Sequence, residues 1–418
     1  MSLSPQEKNE LNTHRRQALE LLEWTMDDIS PEGKKLHIKC GVERELHYID
    51  PNYFMPHYRD NGTFNEKLSE TLEREMERIA GELQKNLPYN ELLERIYHDT
   101  AGTFLVETVT LPLTLGVAAK ATEDSTAAIL EIAKKKGHYC GTYLDLDNHM
   151  HLSNHFKYYP QEVFQIGSRA FRLVGRGQHA NVSLWCDDKN LFSTTPALFD
   201  NCAHGAAALL SHFILPSRSG NYHRIKAKSI NSILTITSNT LAKGHGNAIR
   251  VVSPDEALLE VDNINSPSRL ERCRLEFRQA AAEANPYDVV LAAALPLVKT
   301  CIDTLPFDPT SGKLADTQTF KEYAEPEAMP MPRSEQEAAA LFNTADNPYF
   351  IFLNELAERK LQRLTAMRSS SDDSAALRQE IRDASSLLGI GTKMHHLYCR
   401  QYGMESVMPL QTPMMGVV

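Results

Sequence analysis

The chain has no paired cysteine motif. Its seven cysteines, Cys40, Cys140, Cys186, Cys202, Cys273, Cys301 and Cys399, are odd in number and never spaced C-x-x-C. That excludes a thiolate zinc knuckle or a disulfide framework and fits a reducing compartment. A long apolar run is also missing. The longest, over residues 205–216, is broken by Ser211 and His212 and falls short of the roughly 20 residues a bilayer span needs, so no membrane partner is expected. The opening segment MSLSPQEKNELNTHRRQALELLEWTMDD is charged throughout and lacks the apolar core of a signal peptide. A cytoplasmic protein is expected, although delivery by a non-classical secretion system would leave no such trace. Nor is there a block of like charge. The formal net charge of −10 is not gathered in a tail and the basic residues are dispersed, which argues against nucleic acid as a partner. No internal repeat is visible.

What is present is a soluble-type composition over 418 residues, enough for one large catalytic domain or two smaller ones. Residues before about Lys35 read as helix, with Leu11, Ala18, Leu19, Leu21, Leu22 and Met26 as a partial apolar stripe closed by Ser30-Pro31. Strands are predicted over 36–49, 104–113, 139–146, 178–186, 244–252 and 272–279, and helices over 65–93 (broken at Leu87-Pro88), 118–135, 197–215 and from Asn285-Pro286 to about Ile302. The succession is irregular rather than βαβα, so α+β is expected. EPEAMPMP at 325–332 reads as a linker, followed by three helical stretches with SSSDDS as a turn between the last two. The expected organisation is an N-terminal helical segment at 1–35, a catalytic domain at 36–324, the linker at 325–332 and a helical region at 333–418.

Three of the predicted strands carry polar groups at every second position: Glu43 and Glu45 in GVERELHYID; His179, Asn181 and Ser183 in GRGQHANVSLW; Arg274, Glu276 and Arg278 in RCRLEFRQ. Side chains at i, i+2 and i+4 of a strand share a face. Glutamates and a histidine converging with arginines suggest divalent metals holding an anionic substrate, a nucleotide phosphate first among them. The bland alternatives are a solvated strand edge for the glutamates, a satisfied core histidine for His179, and an ion-pair ladder of Arg274 and Arg278 around Glu276.

These residues resemble a family. GRGQHANVSLWCDDKNLF is similar to the GSGMHxHxSLWxDGxxLF stretch of glutamine synthetases, RLEFRQAAAEANPYDVVLAAAL to their RxExRxPDPxANPYLAxAAxL, and GVERELHYID to the E-x-E strand that opens their catalytic domain. The resemblance spans residues 36–358, through PRSEQEAAALF. It implies a curved antiparallel sheet backed by helices with a helical C-terminal region, ATP, and two Mg²⁺ or Mn²⁺ sites. One site would take Glu45, Asp99 and Glu107, the latter two from IYHDTAGTFLVET, and the other Glu43, His179 and Glu276. It further implies Arg250, Arg274 and Arg278 at the phosphoryl group, Asn181 and Ser183 with Arg250 on ATP, and Arg224 and Gly175 on the acid substrate.

The departures are selective. Where the family has a flap glutamate that deprotonates ammonium, this sequence has IKAKSINSIL with Ile230 at that spacing; Val174 replaces an asparagine and His245 an arginine. Asp99 is a shortened carboxylate, and only about 35 residues precede the first motif, too few for the family's amino-terminal domain. A homo-oligomer is common in the family, and that shortage weakens the expectation here. The resemblance implies an ATP-dependent carboxylate-amine ligase of γ-glutamyl type, acting on glutamate or an analogue and an amine through an acyl phosphate. A non-catalytic nucleotide-binding or regulatory protein of the same fold, or a phosphotransferase acting on a guanidino group or a protein, are the alternatives.

Overall fold

A computed structural model describes residues 3–50, 69–87, 90–98, 105–141, 150–151, 161–166, 169–174, 177–210, 212, 241–242, 249–253, 270–281, 284–306, 314–315, 335–370, 374–401 and 403–408. In chain order the elements are α1 (Pro5–Asp28), β1 (Leu36–Ile49), α2 (Ser69–Asn86), β2 (Leu93–His98), β3 (Leu105–Thr110), α3 (Leu115–Lys136), β4 (Tyr139–Gly141), β5 (Met150–His151), β6 (Gln161–Ile166), β7 (Arg169–Val174), β8 (Gly177–Cys186), β9 (Lys189–Asn190), α4 (Leu191–Thr194), α5 (Pro196–Leu210), β10 (Leu241–Ala242), β11 (Ile249–Val252), β12 (Arg274–Ala281), α6 (Pro286–Thr304), α7 (Glu335–Phe342), α8 (Pro348–Ser370), α9 (Ala375–Ser386) and α10 (Ile390–Gln401).

The main sheet runs β10-β11-β12-β8-β1-β3-β2, with β4 paired to β1 and β9 to β8. The pairings β1/β3, β2/β3, β11/β12 and β12/β8 are antiparallel, and the short β10/β11 pair is parallel. A separate sheet orders β5-β7-β6. Strands β2, β5, β6, β7, β9 and β10 were not expected from the sequence. QEVFQI and RAFRLV alternate and are separated by Gly-Ser, a hairpin signal that would have found β6 and β7.

Chain contacts divide the molecule into two units, Met1–Ile38 with Leu184–Pro216 and Ala294–Val418, and Lys39–Ser183 with Ser217–Ala293. Within the second, alternation along β1 sends Leu46 and Tyr48 into a core with Ile96 of β2 and Val106 of β3. Met76, Ile79, Ala80 and Leu83 of α2, spaced for one helical face, close that core together with Ile129 and Ala133 of α3. Helix α3 ends on Gly137 at φ 71° after Lys134, Lys135 and Lys136, a left-handed cap with cations at the negative end of the helix. Arg44 points to the same side as this core and donates to Thr126 Oγ1 at 3.2 Å. The opposite face of the sheet is thereby left for polar groups.

Within the first unit, α1 starts on a capping box in which Ser4 and Glu7 exchange side-chain and backbone hydrogen bonds. Its buried stripe includes Leu11, Ala18, Leu19, Leu22 and Met26, and it packs on α8 and α10. In the second unit, Asn285 caps the start of α6 through Tyr287 N at 3.0 Å, with Pro286 as the first helical residue. The region after residue 333 holds four described helices rather than three, because the chain breaks between α9 and α10 at Gly389, φ 69°. The 325–332 segment lies outside the described residues. Among the described residues no helix is long and apolar enough to cross a membrane.

Candidate functional site

The polar face of the sheet is organised in rows across the strands. In one row Arg250 of β11 lies opposite Glu276 of β12, which lies opposite Asn181 of β8. The Asn181 amide continues the row: its Nδ2 donates to Glu43 Oε1 at 2.9 Å, and its Oδ1 accepts from Arg274 Nε at 2.7 Å. In the next row Glu45 of β1 lies opposite Glu107 of β3, and Glu107 opposite Tyr97 of β2.

Glu43, His179 and Glu276 come together. One ligand atom from each lies within 4.8 Å of the others. His179 Nδ1 is 3.0 Å from Glu43 Oε2 and 3.5 Å from Glu276 Oε1. Glu276 is 3 % exposed, so its charge must be compensated inside the protein. Three guanidinium groups do part of this: Arg250 at 3.2 Å, Arg278 at 3.0 Å and Arg274 at 3.8 Å. Arg278 sits beside a register irregularity between Phe277 and Ala280. Such a bulge re-aims a side chain, so strict alternation along β12 does not fix where it points. Ser183 is buried on β8 two residues beyond Asn181.

Glu45 and Glu107 are two carboxylates at directly opposed strand positions, an arrangement that repels. Gly177 N donates to Glu45 Oε2 at 2.8 Å, and the Tyr97 hydroxyl donates to Glu107 Oε2. Desolvation first, and then the neighbouring Glu107 charge, push the Tyr97 phenol well above its ordinary pKa, so it stays a donor. Tyr97 escaped the sequence reading because helix was predicted through residue 93 and β2 was not seen. The alternation in ERIYH beside the IYHDTAGTFLVET motif was the available signal.

A carboxylate, imidazole, carboxylate set offers two hard oxygen donors and one borderline nitrogen, a mixture open to Mn²⁺ or Mg²⁺, and the opposed pair Glu45 and Glu107 supplies a second concentration of negative charge. The residues present therefore fit divalent cations. Asp99, Arg224, Gly175, Ile230 and His245 lie outside the described residues, as does the side chain of Val174.

No protein-family model matches the sequence, and no curated protein does. Solved structures do. A protein described as a novel glutamine synthase homolog matches with a TM-score of 0.53 at 15% identity, over 94% of this chain and 72% of that one. GmaS in complex with ADP matches at 0.50 and 15% identity, over 93% and 73%. The Plasmodium falciparum glutamine synthetase matches at 0.50 and 13% identity, over 89% and 75%. These likenesses show the fold: α+β, of the glutamine synthetase catalytic-domain type, with C-terminal helices.

Proposed function

We propose that the chain is an ATP-dependent carboxylate-amine ligase that activates the γ-carboxyl of glutamate or a related acid as an acyl phosphate. The observation that carries this is the Glu43, His179 and Glu276 cluster, ringed by Arg250, Arg274 and Arg278, on a sheet of glutamine synthetase type. In this reading residues 36–324 carry the chemistry and 333–418 form an appended helical region.

A carboxylate is a poor electrophile, and phosphorylation by ATP converts its oxygen into a leaving group. Glu43, His179 and Glu276 would hold one divalent ion, and Glu45 and Glu107 with Asp99 the other. When bound, such ions offset the repulsion between the phosphates and the acid. Arg250, Arg274 and Arg278 are largely buried, at 12%, 19% and 11% side-chain exposure. Guanidinium groups already held in a desolvated site stabilise charge developing on a transferring phosphoryl group with little reorganisation. Asn181 and Ser183, with Arg250, would meet ATP, and Arg224 and Gly175 the acid.

No carboxylate stands at the flap spacing where ammonium would be deprotonated. Loss of a general base typically costs about 10² to 10⁴ in rate, so the acceptor in this proposal is an amine that arrives neutral or is served by another base. The test is phosphate release from Mg-ATP or Mn-ATP with glutamate, with and without hydroxylamine. Glutamate-dependent hydroxamate supports the ligase. ADP formed without phosphate release and without hydroxamate, whatever carboxylic acid is supplied, would replace it with phosphotransfer.

One observation favours a second reading. Glu276 engages three guanidinium groups, which is also how a closed structural ion-pair cluster is built. Under that reading the chain is a non-catalytic nucleotide-binding or regulatory protein, ATP binds without turnover, and Mn²⁺ does not compete for Glu276.

A further inference from the structure

The row across β1, β3 and β2 contains one polar side chain with no part in the ligand set. Tyr97 is the cross-strand partner of Glu107, as Glu107 is of Glu45, and its hydroxyl donates to Glu107 Oε2. The ring is held from outside by Arg95, whose guanidinium carbon lies 4.3 Å from the ring centroid, a cation–π contact. Glu107 is only 5% exposed, so this hydrogen bond is shielded from water.

The identity of the donor matters. Two opposed carboxylates repel, and each would rotate away from the other unless restrained. A lysine or arginine would restrain Glu107 by cancelling its charge. A neutral phenol fixes the rotation of the carboxylate and leaves the charge intact, and the Gly177 N–H does the same for Glu45. Both of these contacts orient the pair without neutralising it, as partners of metal ligands commonly do.

We propose that Tyr97 is a positioning residue for Glu107 and, through it, for a divalent cation held by the Glu45 and Glu107 row. This rests on the two-metal reading above. Tyr97 acts by orienting the carboxylate and does not itself touch the ion.

Mn²⁺ alone is the probe, titrated onto the full chain and followed by the electron paramagnetic resonance of the free ion. The wild type is expected to bind two ions. Tyr97→Phe should weaken one of them about 10- to 100-fold and leave the other unchanged. Glu107→Gln should weaken the same ion, and adding Tyr97→Phe to it should produce no further change, because the hydroxyl would have no carboxylate left to orient. Urea unfolding in chelator separates this from loss of fold. Two unaltered affinities in Tyr97→Phe, or full additivity in the double variant, would overturn the inference while the two-metal reading stood. A wild type that binds no Mn²⁺ would overturn both.

Discussion

Asn181 shows how much one neutral side chain settles at the site. Its amide gives Nδ2 to Glu43 and Oδ1 to Arg274, so a metal-ligand candidate and a phosphoryl-arginine candidate share one linker. An amide carries a donor and an acceptor on one planar group, which lets it serve both. Hydrogen bonds to charged groups contribute about 1.5–3 kcal/mol. Asn181 is half-buried, so Asn181→Ala should cost near the lower end, about 1.5 kcal/mol, in urea unfolding with chelator present. An unchanged midpoint would mean that water replaces both bonds. The types and alternation of Glu43, Glu45, His179, Asn181 and Ser183 were legible because the strand period of two is simple and both strands run without interruption. Their partners were not. Which carboxylate faces His179 depends on the neighbour order β12-β8-β1, and the three-arginine contact on Glu276 depends on cross-strand register and a bulge. A single sequence contains no direct record of either.

At the scale of elements, the C-terminal helices depend on two contacts that periodicity does not reveal. Asn354 of α8 caps α10 from outside: its Oδ1 accepts from Gly391 N at 2.8 Å and Thr392 N at 3.3 Å. That places the start of α10 so close to α8 that a Cβ on Gly391 would overlap the Phe350 carbonyl. Gly391→Ala should therefore destabilise the protein by about 1–3 kcal/mol through overpacking, read as a lower urea midpoint; a neutral result would show that α10 shifts freely. The sequence suggested one helix fewer here because apolar spacing continues through the break, although Gly389 with its left-handed φ was a stop signal. The second contact is His395 of α10, whose Nδ1 lies 2.7 Å from Ser406 Oγ and whose Nε2 lies 3.2 Å from the Phe342 carbonyl at the end of α7. Burial pushes this imidazole down from 6.5 to about 4. The unfolded chain then takes up its proton first, so stability is complete above 6.5 and declines as pH falls from 6.5 toward 4. His395→Gln should flatten that decline in urea midpoints taken at several pH values. An identical slope in both proteins would assign the decline to other groups.

For the whole molecule, the donor atoms of Glu43, His179 and Glu276 come from β1, β8 and β12, strands drawn from widely separated parts of the chain. A cation held by all three is present only when the sheet is assembled, so its binding energy adds to folding stability. At a free concentration of 100 times Kd this linkage contributes about 2.7 kcal/mol. Mn²⁺ should accordingly raise the urea midpoint of the wild type relative to chelator, and do so with the logarithm of its concentration. Glu276→Gln should lose the share of that response that comes from this ion and, in chelator, should also be destabilised, because the three guanidinium groups lose the buried charge that holds them; breaking such a cluster costs about 3–5 kcal/mol. The two effects separate the readings of the site. If Glu276 serves only to close an ion-pair cluster, Glu276→Gln still destabilises, but Mn²⁺ moves both proteins by the same amount. If it is a ligand, the wild type gains more stability in the metal than Glu276→Gln does, and the same carboxylate that anchors the arginines when the ion is absent binds the ion when it is present.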